Sequence, residues 1–168
     1  MSVSEEKFLS YYDRYADPIF RYCFYRLYHK RELAKEITQE TFLRAWELSR
    51  KNDVDNMRAL LYKIARNLII DYSRKKKEES VEELEEAGHT MSHDPSEHLY
   101  NSIEFKQLVK DLDALETEYK EVLLMRYVDD LKPREIAEIT GESVNVISVR
   151  ITRAKQAIRT IRKIAGKG

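Results

Sequence analysis

Polar and basic side chains gather near the end of the chain at a spacing that suits contacts with nucleic acid. The segment PREIAEITGESVNVISVRITRAK, residues 133–155, has no acid after Glu142 and ends in cations. Between its apolar positions lie Asn145, Ser148, Arg150, Thr152 and Arg153, and Gln156 follows directly after the segment. Side chains of these types can hydrogen-bond base edges or phosphates in a major groove. The alternative is an ordinary helical hairpin whose basic face is only solvated.

The neighbouring residues predict two helices, joined by a short turn, that position these polar side chains. Pro133 is tolerated at the first helical position, and Gly141 can adopt the left-handed conformation that ends a helix. Ser143 can then cap a second helix, and Ala137 is small where the two helices must cross. The second helix has one apolar stripe, Ile147, Ile151, Ala154, Ile158 and Ile161. The pattern is typical of a helix-turn-helix.

A second candidate surface lies in the segment AKEITQETFLRAWE, residues 34–47. Glu36, Gln39 and either Phe42 or Leu43 line a face offset from the apolar stripe of a predicted helix. A carboxylate, an amide and an exposed apolar group suit a protein partner rich in arginine. A solvated face is the alternative, and the residues alone favour it because single exposed apolar side chains are common.

Four consecutive cations, Arg74, Lys75, Lys76 and Lys77, end another predicted helix. The helix dipole favours cations at a C-terminus. Four in a row exceed that need, so phosphate contact is the better interpretation of this cluster.

The composition indicates a soluble, helix-favouring chain. Of 168 residues, 36% are charged and 42% hydrophobic, with only four Gly and three Pro to break helices. Nothing in the sequence resembles a signal peptide, and no apolar run approaches the ~20 residues that span a bilayer, so we expect a cytoplasmic protein without a membrane partner. Cys23 is the single cysteine, which excludes an internal disulfide.

The zero net charge hides three blocks of different sign. Residues 1–77 carry 17 Lys and Arg against 11 Asp and Glu, residues 78–104 carry none against 9, and residues 105–168 carry 13 against 10. The acidic segment has few apolar residues and is expected to be flexible. It also holds His89, His93, Asp94 and His98, of which two or three could reach one metal ion if a helix formed. No cysteine accompanies them, and we expect neither a metal nor another cofactor.

We therefore expect an all-α chain of two small helical domains. A four-helix bundle, with helices near residues 5–16, 18–29, 31–51 and 57–77, occupies residues 1–77. An acidic flexible linker, 78–101, joins it to a helix-turn-helix domain, 102–168. Three core stripes are predicted: Ala34, Ile37, Thr41, Ala45 and Leu48; Met57, Leu61, Ile64, Leu68 and Tyr72; and Phe105, Leu108, Leu112 and Leu115. Thr117 is predicted to cap a following helix that runs to Val128.

Two blocks of the sequence resemble one family. AKEITQETFLRAWE followed by RALLYKIARNLIIDYSRKKKE resembles the promoter-melting domain of the extracytoplasmic-function sigma factors, which are group IV of the sigma-70 superfamily of bacterial RNA polymerase. LETEYKEVLLMRYVDDLKPREIAEITGESVNVISVRITRAKQAIR resembles their promoter-reading domain. The blocks stand in the family's order on either side of a linker.

This resemblance implies a role for each candidate surface. It implies that Glu36, Gln39, Phe42 and Leu43 bind core RNA polymerase at the clamp helices of its largest subunit, with a further contact to the flap. It implies that the loop ending at Asn56 captures a −10 base, and that the contacts to −10 DNA are Asn56, Arg66, Asn67, Asp71, Arg74, Lys75 and Lys76. The implied −35 contacts are Ser143, Asn145, Val146, Ser148, Val149, Arg150 and Arg153. An anti-sigma factor is an implied further partner.

Four positions depart from the family's usual pattern. Leu60 stands where members commonly carry Trp. Asn145 and Val146 stand where a small residue and Thr are common, and Val149 stands where Ser is frequent. A valine cannot hydrogen-bond phosphate, but it can contact the methyl group of thymine.

Two other classes of function compete with promoter-specific initiation. A free-standing helix-turn-helix regulator would account for residues 133–155, but it would normally need a dimer interface, and the sequence has no long heptad seam. An enzyme would need a convergent catalytic constellation, and the linker histidines are the best candidates for one. We expect no catalytic residues.

Overall fold

A computed structural model of the protein describes residues 3–79 and 103–166. The chain within these ranges is helical and contains no strand, and it forms two separate units. The expected all-α class is confirmed. No helix in the described part of the chain combines the length and the apolar character that crossing a membrane requires. Residues 80–101 of the predicted linker, including its histidines, lie outside the described residues.

The N-terminal unit consists of three helices, each in contact with the other two. They are α1 (Glu5–Arg26), α2 (Arg31–Lys51) and α3 (Met57–Glu79). Their shared core includes Ile19, Cys23 and Leu61, none of which is exposed, and the rings of Tyr22 and Tyr62 meet edge to face at 5.4 Å. Cys23 is therefore a buried structural thiol.

The prediction of four helices in this unit is wrong, because Pro18 lies inside α1 and does not end it. Proline lacks the N–H that would bond the carbonyl four residues earlier, so a break was expected at this point. The helix continues because it has buried residues on both sides of the proline, Phe8 before it and Ile19 and Tyr22 after it. Tertiary burial on both sides of Pro18 outweighs the local penalty.

The predicted core stripes of α2 and α3 are largely confirmed. In α2 only Leu48 departs, with 42% of its side chain exposed, while its neighbour Ser49 is fully buried. Ser49 fits because its hydroxyl donates to the carbonyl of Trp46 at 2.9 Å. In α3 the first three predicted residues are buried, and Leu68 and Tyr72 are half-buried near the end of the bundle.

The C-terminal unit is built around one long helix. The elements are α4 (Ile103–Asp113), α5 (Thr117–Leu123) with a π-helical turn at Leu124–Val128, α6 (Pro133–Thr140) and α7 (Val144–Gly166). Helix α7 packs against α4, α5 and α6. Of the predicted α4 stripe, Leu112 and Leu115 are buried and Leu108 is half-buried, whereas the side chain of Phe105 lies outside the described set.

Ion pairs reinforce this unit beside its apolar core. The buried Lys120 ammonium lies 2.6 Å from Asp113 Oδ1. The buried Asp111 carboxylate accepts from Gln107 Nε2 at 3.0 Å and pairs with Arg162 Nε at 3.3 Å, which links α4 to α7. Buried charge is tolerated where it is paired and hydrogen-bonded in this way.

The helix-turn-helix geometry agrees with the sequence prediction. Pro133 is the first residue of α6, and Gly141 ends that helix with φ of +78°. The Ser143 hydroxyl accepts the N–H of Val146 at 3.1 Å and so caps α7. The turn residues thus fix the angle at which α7 leaves α6.

Replacing Pro18 with Ala should stabilise the N-terminal unit. The substitution restores a helix N–H and removes the ring clash, so we expect the unfolding free energy to rise by about 1–3 kcal/mol. Urea unfolding followed by the fluorescence of Trp46, the only tryptophan, measures it. The matched control is Asp17→Ala, which should change stability by less than about 0.5 kcal/mol. A loss of stability in Pro18→Ala would contradict this expectation and show that the proline itself stabilises the unit.

Replacing Gly141 with Ala should destabilise the C-terminal unit through backbone strain alone. An added Cβ would meet no atom within 4 Å, so only the left-handed φ opposes it. We expect a loss of about 1 kcal/mol, and a smaller loss for Gly141→Asn because asparagine tolerates this conformation. Thermal unfolding monitored by circular dichroism shows which of the two variants loses more stability. Equal losses would point to a cause other than φ.

Candidate nucleic-acid and protein interfaces

Helix α7 presents one face that the core does not use. Its buried stripe is Ile147, Ile151 and Ala154. At 100° per residue, Val149 lies on the opposite side, and the side chains around it are all exposed. We call this set the reading face; it consists of Asn145, Val146, Val149, Thr152, Arg153 and Gln156. The face contains no acid, and it combines hydrogen-bonding groups with two apolar side chains, Val146 and Val149, that are 41% and 49% exposed.

Arg150, one of the predicted −35 contacts, is mostly covered by its own unit. Its side chain is only 15% exposed and lies near two carboxylates, 3.6 Å from Glu142 and 3.9 Å from Glu118. Position 150 lies beside the buried stripe, so its guanidinium reaches α5 and the turn. Arg153 is exposed, belongs to the reading face and makes no ion pair within the described ranges.

Two further predicted −35 residues, Ser143 and Ser148, lie outside the reading face. The Ser143 hydroxyl is engaged as the cap of α7. Ser148 is exposed at the border of the reading face, where its carbonyl accepts from the Thr152 hydroxyl at 3.1 Å.

The predicted −10 residues of α3 fall on several sides of the helix. Asn67, Asp71 and Arg74 follow one stripe, in which Arg74 donates to Asp71 at 2.6 Å. Arg66 is half-buried beside this stripe. Asn56 precedes the helix and caps it, since its side-chain oxygen accepts the N–H of Ala59 at 3.0 Å.

The cations at the end of α3 are also separated by the helix geometry. Arg74 belongs to the stripe just described. Lys75 lines a shallow groove between α2 and α3, together with Glu36 and Glu40. Lys76 points to another side, where its ammonium lies 6.0 Å from the centre of the Tyr72 ring. The run of four cations is therefore not a single patch.

A further cation, which the sequence did not indicate, joins Lys76. Lys30 precedes α2, and its ammonium lies 5.8 Å from the centre of the same Tyr72 ring. Contact with Lys76, together with burial, lowers the pKa of Lys30 to about 8. The contact joins the α1–α2 turn to the end of α3, so no periodicity within one helix could have revealed it.

On α2, the structure corrects the expected exposure of Phe42. The Phe42 ring is 4% exposed and meets Tyr12 at 4.9 Å and Phe8 at 6.4 Å between ring centres. Leu43, 53% exposed, is the apolar group that accompanies the exposed Glu36 and Gln39. The three residues follow one helical stripe, which we call the α2 stripe.

A shallow apolar groove between α1 and α2 adjoins the α2 stripe. It is lined by Glu5, Phe8, Leu9, Phe42, Leu43 and Trp46, and Leu9 is 56% exposed. Leu9 and Trp46 were not among the predicted site residues. Two adjacent apolar residues, Phe8 and Leu9, were the available signal, since only one of two neighbours on a helix can face the same core.

The described residues contain no group of three His, Cys, Asp or Glu side chains that could hold a metal ion. The linker histidines considered for such a site lie outside those residues.

Comparison with known families gives a match for each unit. The family described as "Sigma-70 region 2" matches residues 11–79, and "Sigma-70, region 4" matches residues 106–158. The ECF RNA polymerase sigma factor SigW of Bacillus subtilis is 30% identical over 92% of this chain and 88% of its own length. RNA polymerase sigma factor SigV of the same organism is 35% identical over 75% of this chain and 74% of its own.

Solved structures share the fold at lower identity. The sigma factor RpoE of Bartonella quintana, crystallised with the anti-sigma factor NepR, matches with a TM-score of 0.77 at 20% identity, over 94% of this chain and 97% of the other. CnrH, solved with the cytosolic domain of CnrY, matches with a TM-score of 0.71 at 20% identity, over 96% and 90%. Both family regions are present in order, and the likeness to curated relatives spans most of the chain. The chain belongs to the extracytoplasmic-function (ECF) sigma factors of the sigma-70 family, which direct bacterial RNA polymerase to promoters.

Proposed function

We propose that the two units divide promoter recognition between them. The N-terminal unit, residues 1–77, binds core polymerase and opens and reads the −10 element; the C-terminal unit, residues 102–168, reads the −35 element; residues 78–101 link them. The observation that carries this proposal is the acid-free reading face of α7, which is exposed and lies opposite a buried stripe. Such a face on the second helix of a helix-turn-helix fits a major groove.

The α2 stripe is the proposed contact for core polymerase, at the clamp helices of the largest subunit. Glu36 and Gln39 offer a carboxylate and an amide to basic and polar partner groups, and Leu43 offers an apolar surface beside the groove. Phe42 contributes indirectly, because its buried ring lines the apolar groove between α1 and α2. A contact of the C-terminal unit with the flap completes the proposed polymerase interface.

The −10 element is proposed to bind at the start and along the outer stripe of α3. Taking a base out of the stack costs a few kcal/mol, which fitted polar groups and phosphate contacts must offset. The Asn67 side chain is exposed and makes no hydrogen bond to a described residue, and the Asp71–Arg74 pair is open to solvent. Asn56, as the cap of α3, fixes the end of the loop that receives the base.

The reading face is proposed to combine polar and apolar readout. Arg153 is suited to a guanine edge or a phosphate, and Asn145 to an adenine. Val146 and Val149 supply apolar surface for thymine methyl groups. Arg150 acts by positioning, since its ion pairs hold α7 against Glu118 and Glu142.

The chain is proposed to act in the cytoplasm and without catalysis of its own, because the chemistry of RNA synthesis belongs to the polymerase. An anti-sigma factor is the proposed regulatory partner. The support is that RpoE and CnrH, which share this fold, were solved with NepR and CnrY.

Reversing the charge of the α2 stripe should weaken binding to core polymerase. We expect the pair Glu36→Lys and Gln39→Ala to raise the dissociation constant about tenfold or more, because a buried interface charge would meet like charge. Fluorescence anisotropy of labelled protein titrated with purified core measures the change. Asp13→Lys is the control, since it makes the same charge change on an exposed position of α1. Equal effects from both would argue for a general charge effect.

Apolar readout by Val149 can be tested by removing the methyl group that it would contact. Replacing each −35 thymine of a mapped promoter with uracil in turn should weaken holoenzyme binding about three- to fourfold at one position. The Val149→Ala holoenzyme should bind the thymine promoter more weakly than the parent does, and replacing thymine with uracil at that position should not weaken its binding further. Val144→Ala is the control, because Val144 is 42% exposed but lies off the reading face. Undiminished uracil sensitivity in Val149→Ala would contradict the assignment.

A further inference from the structure

Two ammonium groups share one aromatic ring where the α1–α2 turn meets the end of α3. Lys30 and Lys76 approach the Tyr72 ring to 5.8 and 6.0 Å, and the two side chains contact each other. Neither ammonium pairs with a carboxylate among the side chains that the structure describes in residues 3–78 and 104–164. Two like charges in contact without an acid lack the anion that would balance them.

The backbone before Lys30 shows that this arrangement is built by the fold. Tyr28 and His29 both have left-handed conformations, with φ of 54° and 66°. Residues other than glycine adopt this region at a cost, and they do so where the surrounding structure requires it. The Lys30 N–H donates to the carbonyl of the buried Leu27 at 3.3 Å, which holds the turn closed. The turn thus delivers the Lys30 side chain to Tyr72.

The occupant must be an anion with oxygens that two donors can share. A phosphate offers such oxygens, and lysine binds phosphate as a compact charge on a flexible stem. The Tyr72 ring keeps the two ammonium groups near each other, since cations are attracted to an aromatic face. Lys75 and Lys77 flank Lys76 in sequence and are both exposed, so further cations lie on other sides of the same helix end. Cations spread around a helix end in this way suit a charged polymer, which can pass several of them, better than a single free ion.

We propose that Lys30 and Lys76 clamp one backbone phosphate of promoter DNA. This inference rests on the proposed function, because it assumes that the N-terminal unit lies on the −10 region. It extends the proposed DNA surface from α3 onto the α1–α2 turn. The phosphate belongs to a strand that passes the end of α3, and the contact is independent of base sequence.

The salt dependence of promoter binding by holoenzyme tests the clamp. Each phosphate contact adds about 0.9 to the slope of log affinity against log salt, so Lys30→Gln should lower the slope by about that amount. Lys30→Arg keeps the charge and should stay close to the parent. Lys35→Gln is the control, because Lys35 is an exposed α2 lysine that pairs with Glu32 at 3.6 Å, and it should leave the slope unchanged.

Neutralising single phosphates locates the contact. Methylphosphonate substitutions placed one at a time around the −10 element should weaken the parent holoenzyme at one position to which Lys30→Gln is insensitive. Equal slopes for Lys30→Gln and Lys35→Gln would overturn the clamp. So would tighter promoter binding by Lys30→Gln, which would indicate that acids of residues 78–104 occupy the site.

The same experiment separates this inference from the proposed function. If the parent holoenzyme binds no promoter, the proposed function fails. If it binds with a normal salt slope that Lys30→Gln leaves unchanged, only the clamp fails. Circular dichroism and core binding of Lys30→Gln should match the parent, so a folding defect would be detected separately.

Discussion

Each long helix of this chain can bury only one stripe of its surface, and what it presents to a partner follows from the residues that remain. In α7, burial of Ile147, Ile151 and Ala154 leaves Val149 and Arg153 facing outward. In α2, burial of Phe42 leaves Leu43 at the surface beside Glu36 and Gln39. The core and the binding faces are thus set by the same helical period, because a residue that serves one is withdrawn from the other.

Charge acts locally in this protein, and its effect depends on the direction in which each side chain points. Arg150 and Arg153 are one helical turn apart, yet Arg150 is held between two carboxylates of its own unit while Arg153 is open to solvent. Likewise Arg74 pairs with Asp71, whereas Lys76 meets Lys30 at an aromatic ring. A count of cations along the chain therefore overstates the phosphate-binding surface, and a zero net charge hides it.

The sequence was sufficient for the local features that depend on one residue type. Pro133, Gly141 and Ser143 have the conformations and contacts that their chemistry requires. It was insufficient where contacts between distant segments determine the structure. Burial on both sides of Pro18 keeps α1 continuous, and rings of α1 cover Phe42. Arg150 reaches acids of α5 and of the turn before α7. The Lys30–Lys76 contact likewise depends on how the α1–α2 turn folds onto α3. Such contacts depend on tertiary packing, which periodicity within one helix does not encode.

The most direct test of the account is transcription by purified bacterial core polymerase, with and without this protein, on a library of promoter fragments with start sites mapped by sequencing. The account predicts discrete start sites that appear only when the protein is added and that share upstream −35 and −10 sequences at a fixed spacing. If core polymerase initiates at the same scattered positions with and without the protein, while the protein alone binds a defined duplex as a dimer, the chain acts as a free-standing regulator and the account is contradicted.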